Sequence, residues 1–311
     1  MRIIFFGTSE FAVPSLERVV GSTHDVVLCV TQPDRPQGRG LKSEPSPVKR
    51  AAQRLSLPFS QPERLSAELF ASIRHEVGVV AAYGQLLRRE VLDLPAHGML
   101  GVHPSLLPKY RGAAPIAWAL LNGERETGVT IFRLNERLDA GELIVQEPVP
   151  IEPGERADAL GRRLAEQGAA ALLRALDAIA AGRAVFTPQD DAQASLAPKL
   201  TKAQGRIDWN APALTIERLI RATVPWPGAS TSWRGTSLRI VSAVAGAAPA
   251  RPSLPGTVLD VSPDRLTVAA GADTLAVTEV QLSGRRSMTA KAFLAGHHVK
   301  VGEQLGGAVS K

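Results

Sequence analysis

Short apolar runs alternate with stretches of helical spacing through the first half of the chain. Residues 2–6 form a nearly unbroken apolar run ending at Gly7, the pattern of a strand buried on both faces. Residues 25–31, 77–82, 99–102 and 126–134 predict four more buried strands. Between them, residues 11–20, 49–55 and 66–76 read as helices. Another helix follows Arg111 and contains Trp118 and Leu121, and the Ala/Leu-rich run from about 156 to 181 predicts a long one. Alternation of this kind builds a mostly parallel sheet with helices on both faces, an α/β, Rossmann-like arrangement.

The pattern then changes. Residues 183–204 lose periodicity, and Thr187-Pro188-Gln189-Asp190-Asp191 and Ala197-Pro198-Lys199 read as a linker. One short helix is expected over 213–222. Short β segments follow at 236–244, 256–260, 266–269 and 275–280, separated by Gly, Pro and Asp turns. That spacing suggests a small OB-like β-barrel. Residues 242–255, rich in Ala, Pro and Ser, read as a loop, and no internal repeat is visible.

Length and charge refine this picture. At 311 residues, two domains are the default. No apolar run is long enough to span a bilayer. The N-terminal apolar run meets Gly7 too soon for a signal segment, so the cytoplasm is the expected location. Cys29 is the single cysteine, which excludes an internal disulfide, and no Cys/His spacing suggests a metal. The net charge of +6 is uneven. From residue 205 onward there are 12 Lys/Arg against 7 Asp/Glu; the remainder holds 24 against 23. A basic module beside a near-neutral one points to a polyanion, nucleic acid first.

The chemistry centres on Gly101-Val102-His103-Pro104-Ser105-Leu106-Leu107-Pro108-Lys109-Tyr110-Arg111-Gly112-Ala113-Ala114-Pro115-Ile116. His103 lies at the C-terminal end of a predicted buried strand, where open α/β sheets place their ligands. An imidazole there can take a proton from an attacking amine near neutral pH. Asp139, in Leu138-Asp139-Ala140-Gly141-Glu142, is its natural partner if the fold brings the two together. A nearby carboxylate would stabilise the protonated ring. Tyr83-Gly84-Gln85-Leu86-Leu87 ends the third strand on the same side and could offer backbone groups to a flat heterocycle. The loop Gln32–Lys42, with Arg35, Arg39 and Lys42, is positive and glycine-rich, suited to a phosphate backbone. Gly7-Thr8-Ser9-Glu10 lacks both the dinucleotide glycine spacing and a P-loop lysine, and reads as a strand-to-helix turn.

These segments resemble the folate-dependent formyltransferases, and the likeness runs through nearly the whole chain. Phe5-Phe6-Gly7-Thr8, Thr31-Gln32-Pro33-Asp34-Arg35-Pro36, Arg39-Gly40, Pro45-Ser46-Pro47-Val48-Lys49 and Ala82-Tyr83-Gly84 look like the tRNA-formylating branch. So do His103–Ile116, Glu126-Thr127-Gly128-Val129-Thr130 and Lys199-Leu200-Thr201-Lys202. Arg206-Ile207-Asp208-Trp209, Ile220-Arg221-Ala222 and Pro225-Trp226-Pro227 extend it.

The resemblance implies an N-terminal formyltransferase domain over 1–186, a linker over 187–205 and an OB-like tRNA-binding domain over 206–311. It implies formyl transfer from 10-formyltetrahydrofolate to the α-amine of methionine on initiator tRNA, with no metal and no membrane, by a protein expected to be a monomer. His103 and Asp139 carry over as catalytic. Ser105, Leu106, Leu107 and Pro108 carry over as folate-contacting, with Tyr83, Gln85 and Leu86 beside them. Arg35, Arg39, Lys42, Lys202 and Arg206 are the candidate tRNA contacts.

One position departs from the family. Where its members carry a catalytic asparagine, this chain has Gly101. The resemblance implies that an amide there donates to the developing oxyanion, and losing one such donor costs about 2.7–4 kcal/mol. The expectation is a weakened enzyme on an unchanged fold, unless water or a neighbour such as Gln85 supplies the donor. The other classes are a non-catalytic tRNA- or folate-binding protein and a formyltransferase acting on another amine.

Overall fold

A computed structural model describes residues 1–37 and 42–306, without the side chains of residues 36, 37, 42 and 43. The chain divides into two compact units. The first comprises Met1–Pro115, Arg125–Ile151 and Leu160–Pro198; the second comprises Ile116–Glu124, Glu152–Ala159 and Lys199–Lys311.

Among the described residues the first unit is built on nine strands: β1 (Arg2–Gly7), β2 (Asp25–Val30), β3 (Arg35–Gln37), β4 (Lys42–Glu44), β5 (Phe59–Ser60), β6 (Val77–Ala81), β7 (Met99–His103), β8 (Glu126–Arg133) and β9 (Leu143–Pro150). Seven form one sheet in the order β5-β2-β1-β6-β7-β8-β9, while β3 and β4 pair with each other. From β5 to β7 the pairing is parallel. Strands β8 and β9 join antiparallel. Parallel strands covered on both faces need apolar residues at every position. Ile3, Ile4, Phe5 and Phe6 are accordingly all buried, and so is the whole of β7. The alternation that predicts a mostly parallel sheet is therefore met in the central strands.

Helices α1 (Val13–Val20), α2 (Pro47–Arg54) and α3 (Arg89–Leu92) belong to this unit. The Ser46 side chain caps α2 by accepting from Lys49 N at 3.0 Å. Helix α4 (Pro115–Leu121) follows β7, and α5 (Ala157–Ala180) buries Leu160, Leu164, Leu172 and Leu176. Gly168 lets α5 approach β7 closely: a Cβ there would lie 2.9 Å from Val102 Cγ1. Residues 66–76 do not form the expected helix. Only a single 3-10 turn, Ala67–Phe70, is present, because Phe70 alone of its residues is buried and Ser66 supplies no cap. Strand β9 was not predicted. As an outer strand with exposed positions and two prolines, it lacks the apolar run of its neighbours.

The second unit carries β10 (Ala229–Trp233), β11 (Thr236–Gly246), β12 (Val258–Ser262), β13 (Arg265–Ala270), β14 (Asp273–Leu282) and β15 (Met288–Thr289). They pair antiparallel in the order β10-β11-β14-β13-β12, with β15 on β14. Helices α6 (Ala213–Ala222) and α7 (Ala290–Gly296) complete it. The core gathers Trp209, Ile216, Ile220, Trp233, Leu238, Val268, Val277 and Phe293. The buried Trp209 indole donates to Thr231 Oγ1 at 2.9 Å, which leaves no buried N–H unpaired there.

Leu172 is fully buried on α5. Leu172→Ala is expected to destabilise the protein by about 2–5 kcal/mol. Thermal unfolding checks this, and a midpoint within a degree of the parent contradicts the packing described.

Candidate active site

Strand β7 ends at His103, which the sheet buries to 6% exposure. Its Nε2 lies 2.9 Å from the backbone carbonyl of Tyr110. A carbonyl only accepts, so Nε2 carries the proton and the neutral ring keeps its lone pair on Nδ1. Nδ1 faces Asp139 Oδ2 at 3.8 Å, too far for a hydrogen bond and near enough for strong electrostatics. The fold thus brings together the two residues that the sequence could only name separately. Asp139 is fixed from its other side by Gly112 N, which donates to the same Oδ2 at 2.8 Å. Its backbone adopts φ +47°, and Tyr110 adopts φ +62°, left-handed conformations that side-chain-bearing residues seldom take.

Burial lowers the His103 pKa below its ordinary 6.5, and the Asp139 charge and the Tyr110 carbonyl oppose that shift without cancelling it. The resting ring is a neutral base. Two acceptors, Nδ1 and Oδ2, face one another across a gap that a donor such as an amine N–H can bridge.

The loop after His103 is held from within. Ser105 Oγ donates to Lys109 O at 2.6 Å, and Thr130 Oγ1 donates to Ser105 O at 2.6 Å. Leu107 N donates to Thr130 Oγ1 at 3.1 Å, and Gln146 Nε2 donates to Leu107 O at 2.7 Å. Ser105 and Leu107 therefore spend their polar groups on loop shape, while the Leu106 side chain and Pro108 stay half-buried. Thr130 and Gln146 escaped the sequence reading, although Thr130 stands opposite His103 in the β7/β8 register.

The Tyr83 side chain turns into the core beside Phe6, and burial pushes its hydroxyl up to about 12. Its carbonyl is taken by Thr8 Oγ1 and Gln32 Nε2, both at 2.8 Å. What remains accessible is Leu86, 79% exposed, and Gln85, half-buried and without a hydrogen bond among the described residues.

Gly101 pairs directly with Phe132 across β7 and β8. A Cβ on residue 101 would meet Phe132 Cε1 at 2.3 Å, Cζ at 2.7 Å and Leu134 Cδ1 at 2.9 Å. The ring occupies the room of any side chain at 101, and it lies edge-on to His103 with centroids 6.4 Å apart. Nothing in the sequence pattern signalled this pairing.

Of the basic candidates, Arg35, Lys202 and Arg206 are exposed. Arg39 and the Lys42 side chain lie outside the described residues. Cys29 is buried, with its thiol pushed up to about 12 by burial, so it offers no thiolate. Among the described residues no group of three or more His, Cys, Asp or Glu is placed to hold a metal ion, and no helix is long and apolar enough to cross a membrane.

Residues 1–176 match the family model described as formyl transferase, and residues 199–298 match that described as formyl transferase, C-terminal domain. Fold and matches together define a formyltransferase enzyme with both of its domains. Methionyl-tRNA formyltransferase of Roseiflexus castenholzii is 47% identical, with 99% of each chain covered. That of Solibacter usitatus is 46% identical over 98% of this chain and 99% of its own. The chain belongs to the methionyl-tRNA formyltransferase family. Its fold also resembles HypX from Aquifex aeolicus solved with tetrahydrofolic acid, at TM-score 0.64 and 20% identity, over 94% of this chain and 47% of that one. The sugar 3N-formyl transferase WlaRD is similar at TM-score 0.65 and 18% identity, over 92% and 99%.

His103 is expected to titrate below 6.5, and Asp139→Asn to lower it further by removing the charge that supports the imidazolium. Because the folded pKa lies below the unfolded one, this group costs stability only as pH falls below the ordinary value, where the unfolded chain binds a proton that the folded ring refuses. A proton–carbon NMR titration of the imidazole measures both shifts. A midpoint above 6.5 overturns the burial argument.

Proposed function

We propose that the chain transfers the formyl group of 10-formyltetrahydrofolate to the α-amine of methionyl initiator tRNA, at a rate lowered by Gly101. The observation that carries this reading is the gap between His103 Nδ1 and Asp139 Oδ2, two acceptors aimed at one N–H donor in a family of formyl-transferring enzymes. The amine nitrogen attacks the formyl carbon, and its proton passes to Nδ1. The Asp139 carboxylate then stabilises the imidazolium. The tetrahedral oxyanion collapses as the folate nitrogen leaves with a proton, for which the imidazolium is the nearest source.

The internally bonded Ser105–Pro108 loop would give the folate a shaped wall, with Leu86 and Leu106 as apolar contacts and Gln85 as a free amide. Arg35, Arg39, Lys42, Lys202 and Arg206 would meet phosphates of the tRNA, and their contribution would weaken with salt. The cytoplasm is the setting this substrate requires, and no second subunit is invoked.

Gly101 gives the oxyanion no side-chain donor. Phe132 also closes the space such a donor would need, so restoring an asparagine requires the ring to yield. Phe132→Leu deletes the two ring atoms that obstruct it, leaving Leu134 Cδ1 at 2.9 Å, the end of a side chain able to shift. A second reading, binding of folate and tRNA without catalysis, is favoured only by this filled position.

Single-turnover formylation of methionyl initiator tRNA separates these readings. The parent should transfer slowly, and Gly101→Asn alone should gain little. Gly101→Asn with Phe132→Leu should gain on the order of a hundredfold or more. Equal, substantial rates in all variants would refute the oxyanion role of position 101. No transfer by any variant, with tRNA binding intact, would establish the non-catalytic reading.

A further inference from the structure

Resting on the formyl-transfer reading above, we infer that Gln189 is a positioning residue that sets Asp139 against His103. Gln189 lies in the aperiodic segment before the second unit, and nothing in its sequence context marks it. Its carboxamide nevertheless uses every hydrogen-bonding site it has. Nε2 donates to the carbonyl of Asp139 at 2.9 Å and to that of Gly141 at 2.8 Å. Oε1 accepts from Arg111 Nε at 3.1 Å and Arg111 Nη2 at 2.7 Å. A group bonded on all sides has one orientation.

The surrounding segment acts in the same sense. Thr187 exchanges two backbone hydrogen bonds with Leu143, at 2.8 and 2.9 Å, just past the Asp139 turn. Further along, Ser195 Oγ accepts from Tyr110 N at 2.9 Å. Ser195 O accepts from Arg111 N at 2.8 Å, and Ala197 N donates to Arg111 O at 2.7 Å. Residues 187–197 thus bridge the two halves of the pair. One end holds the turn carrying Asp139, and the other holds the loop whose Tyr110 carbonyl orients His103. Gln189 joins them through Arg111, whose guanidinium is buried.

Asp139 needs this support. Its φ of +47° is unfavourable for a residue with a side chain. The two carbonyls bonded by Gln189 flank the bend and hold it. Without them the turn can relax, and Oδ2 moves relative to Nδ1.

The test uses the full-length protein with Gln189→Ala and Gln189→Met. Arg111 keeps its ion pair with Asp191, at 2.8 Å, so neither variant strands a buried charge. The methionine also keeps the bulk. Two readouts are taken. The first is NMR titration of the His103 imidazole, assigned with His103→Gln and independent of activity. In both variants the midpoint should fall further below that of the parent, because the carboxylate that favours the imidazolium is displaced. The second is single-turnover formyl transfer, which should drop on the order of tenfold, with KM for either substrate changed less than about twofold. The acid limb of the rate should move down with the His103 midpoint.

An unmoved His103 titration in folded variants overturns the inference, whatever happens to the rate. So does a loss of thermal stability alone, with titration and rate intact. If the parent transfers no formyl group to methionyl-tRNA, the functional reading fails, while the titration still decides the role of Gln189.

Discussion

The hydrogen bond from His103 Nε2 to the Tyr110 carbonyl is the constraint on which the site depends. It puts the proton on the nitrogen away from Asp139 and leaves the lone pair facing it. Were the ring free to exchange tautomers, Nδ1–H would turn toward the carboxylate and no base would face the gap. Leaving the buried carbonyl unpaired would cost about 1–3 kcal/mol, which favours one tautomer strongly. The left-handed backbone at Tyr110 turns the loop back on β7, and the bonds to Ser195 and Ala197 hold the turn in place. The position of one proton therefore follows from backbone conformation seven residues downstream and from a segment about ninety residues downstream.

Gly101 and Phe132 form a second constraint that works as a unit. A glycine in a central strand leaves a gap on the sheet face, and an aromatic ring on the facing strand covers it. Phe132, 3% exposed, is a core residue and also the ring beside the His103 imidazole. It keeps that wall apolar, which sustains the desolvation that holds His103 neutral. Packing thus maintains the base while removing the place for an oxyanion donor. In the proposed reaction the two effects would act on different steps, proton transfer and charge stabilisation, so a weakened transferase with an intact base is coherent.

The buried strands were legible because parallel packing demands long apolar runs, and β1, β2, β6 and β7 carry them. Helix α6 matches the short helix expected over residues 213–222. Strand β9 was not, because an outer strand satisfies no apolar period. The short turn at Ala67–Phe70 shows the reverse error, helical spacing with too little face to bury. His103 and Asp139 could be named from the sequence, and their 3.8 Å separation could not, since it depends on how the β8–β9 turn folds over β7. Thr130, Gln146 and Gln189 act by hydrogen bonds that follow no period, and the Gly101–Phe132 contact needs the β7/β8 register. Periodicity reports burial, and polar positioning is invisible to it.

The protonation state of the site bears on which amine it suits. A base whose pKa lies below 6.5 is poorly matched to a lysine-like ammonium, whose ordinary pKa is about 10.4. An α-amine, at about 7.7–8.0, is partly neutral at physiological pH. The hard step is then removal of a proton only after attack, when the nitrogen has become strongly acidic. A depressed imidazole with a carboxylate 3.8 Å away is suited to that step. It rests unprotonated, and it gains electrostatic support only as it takes the proton. In the proposed reaction the basic excess beyond residue 205 would add affinity for a polyanion but no discrimination among amines. On the proposed function, selection of the amine would therefore fall to His103 and Asp139, and to whatever keeps them 3.8 Å apart.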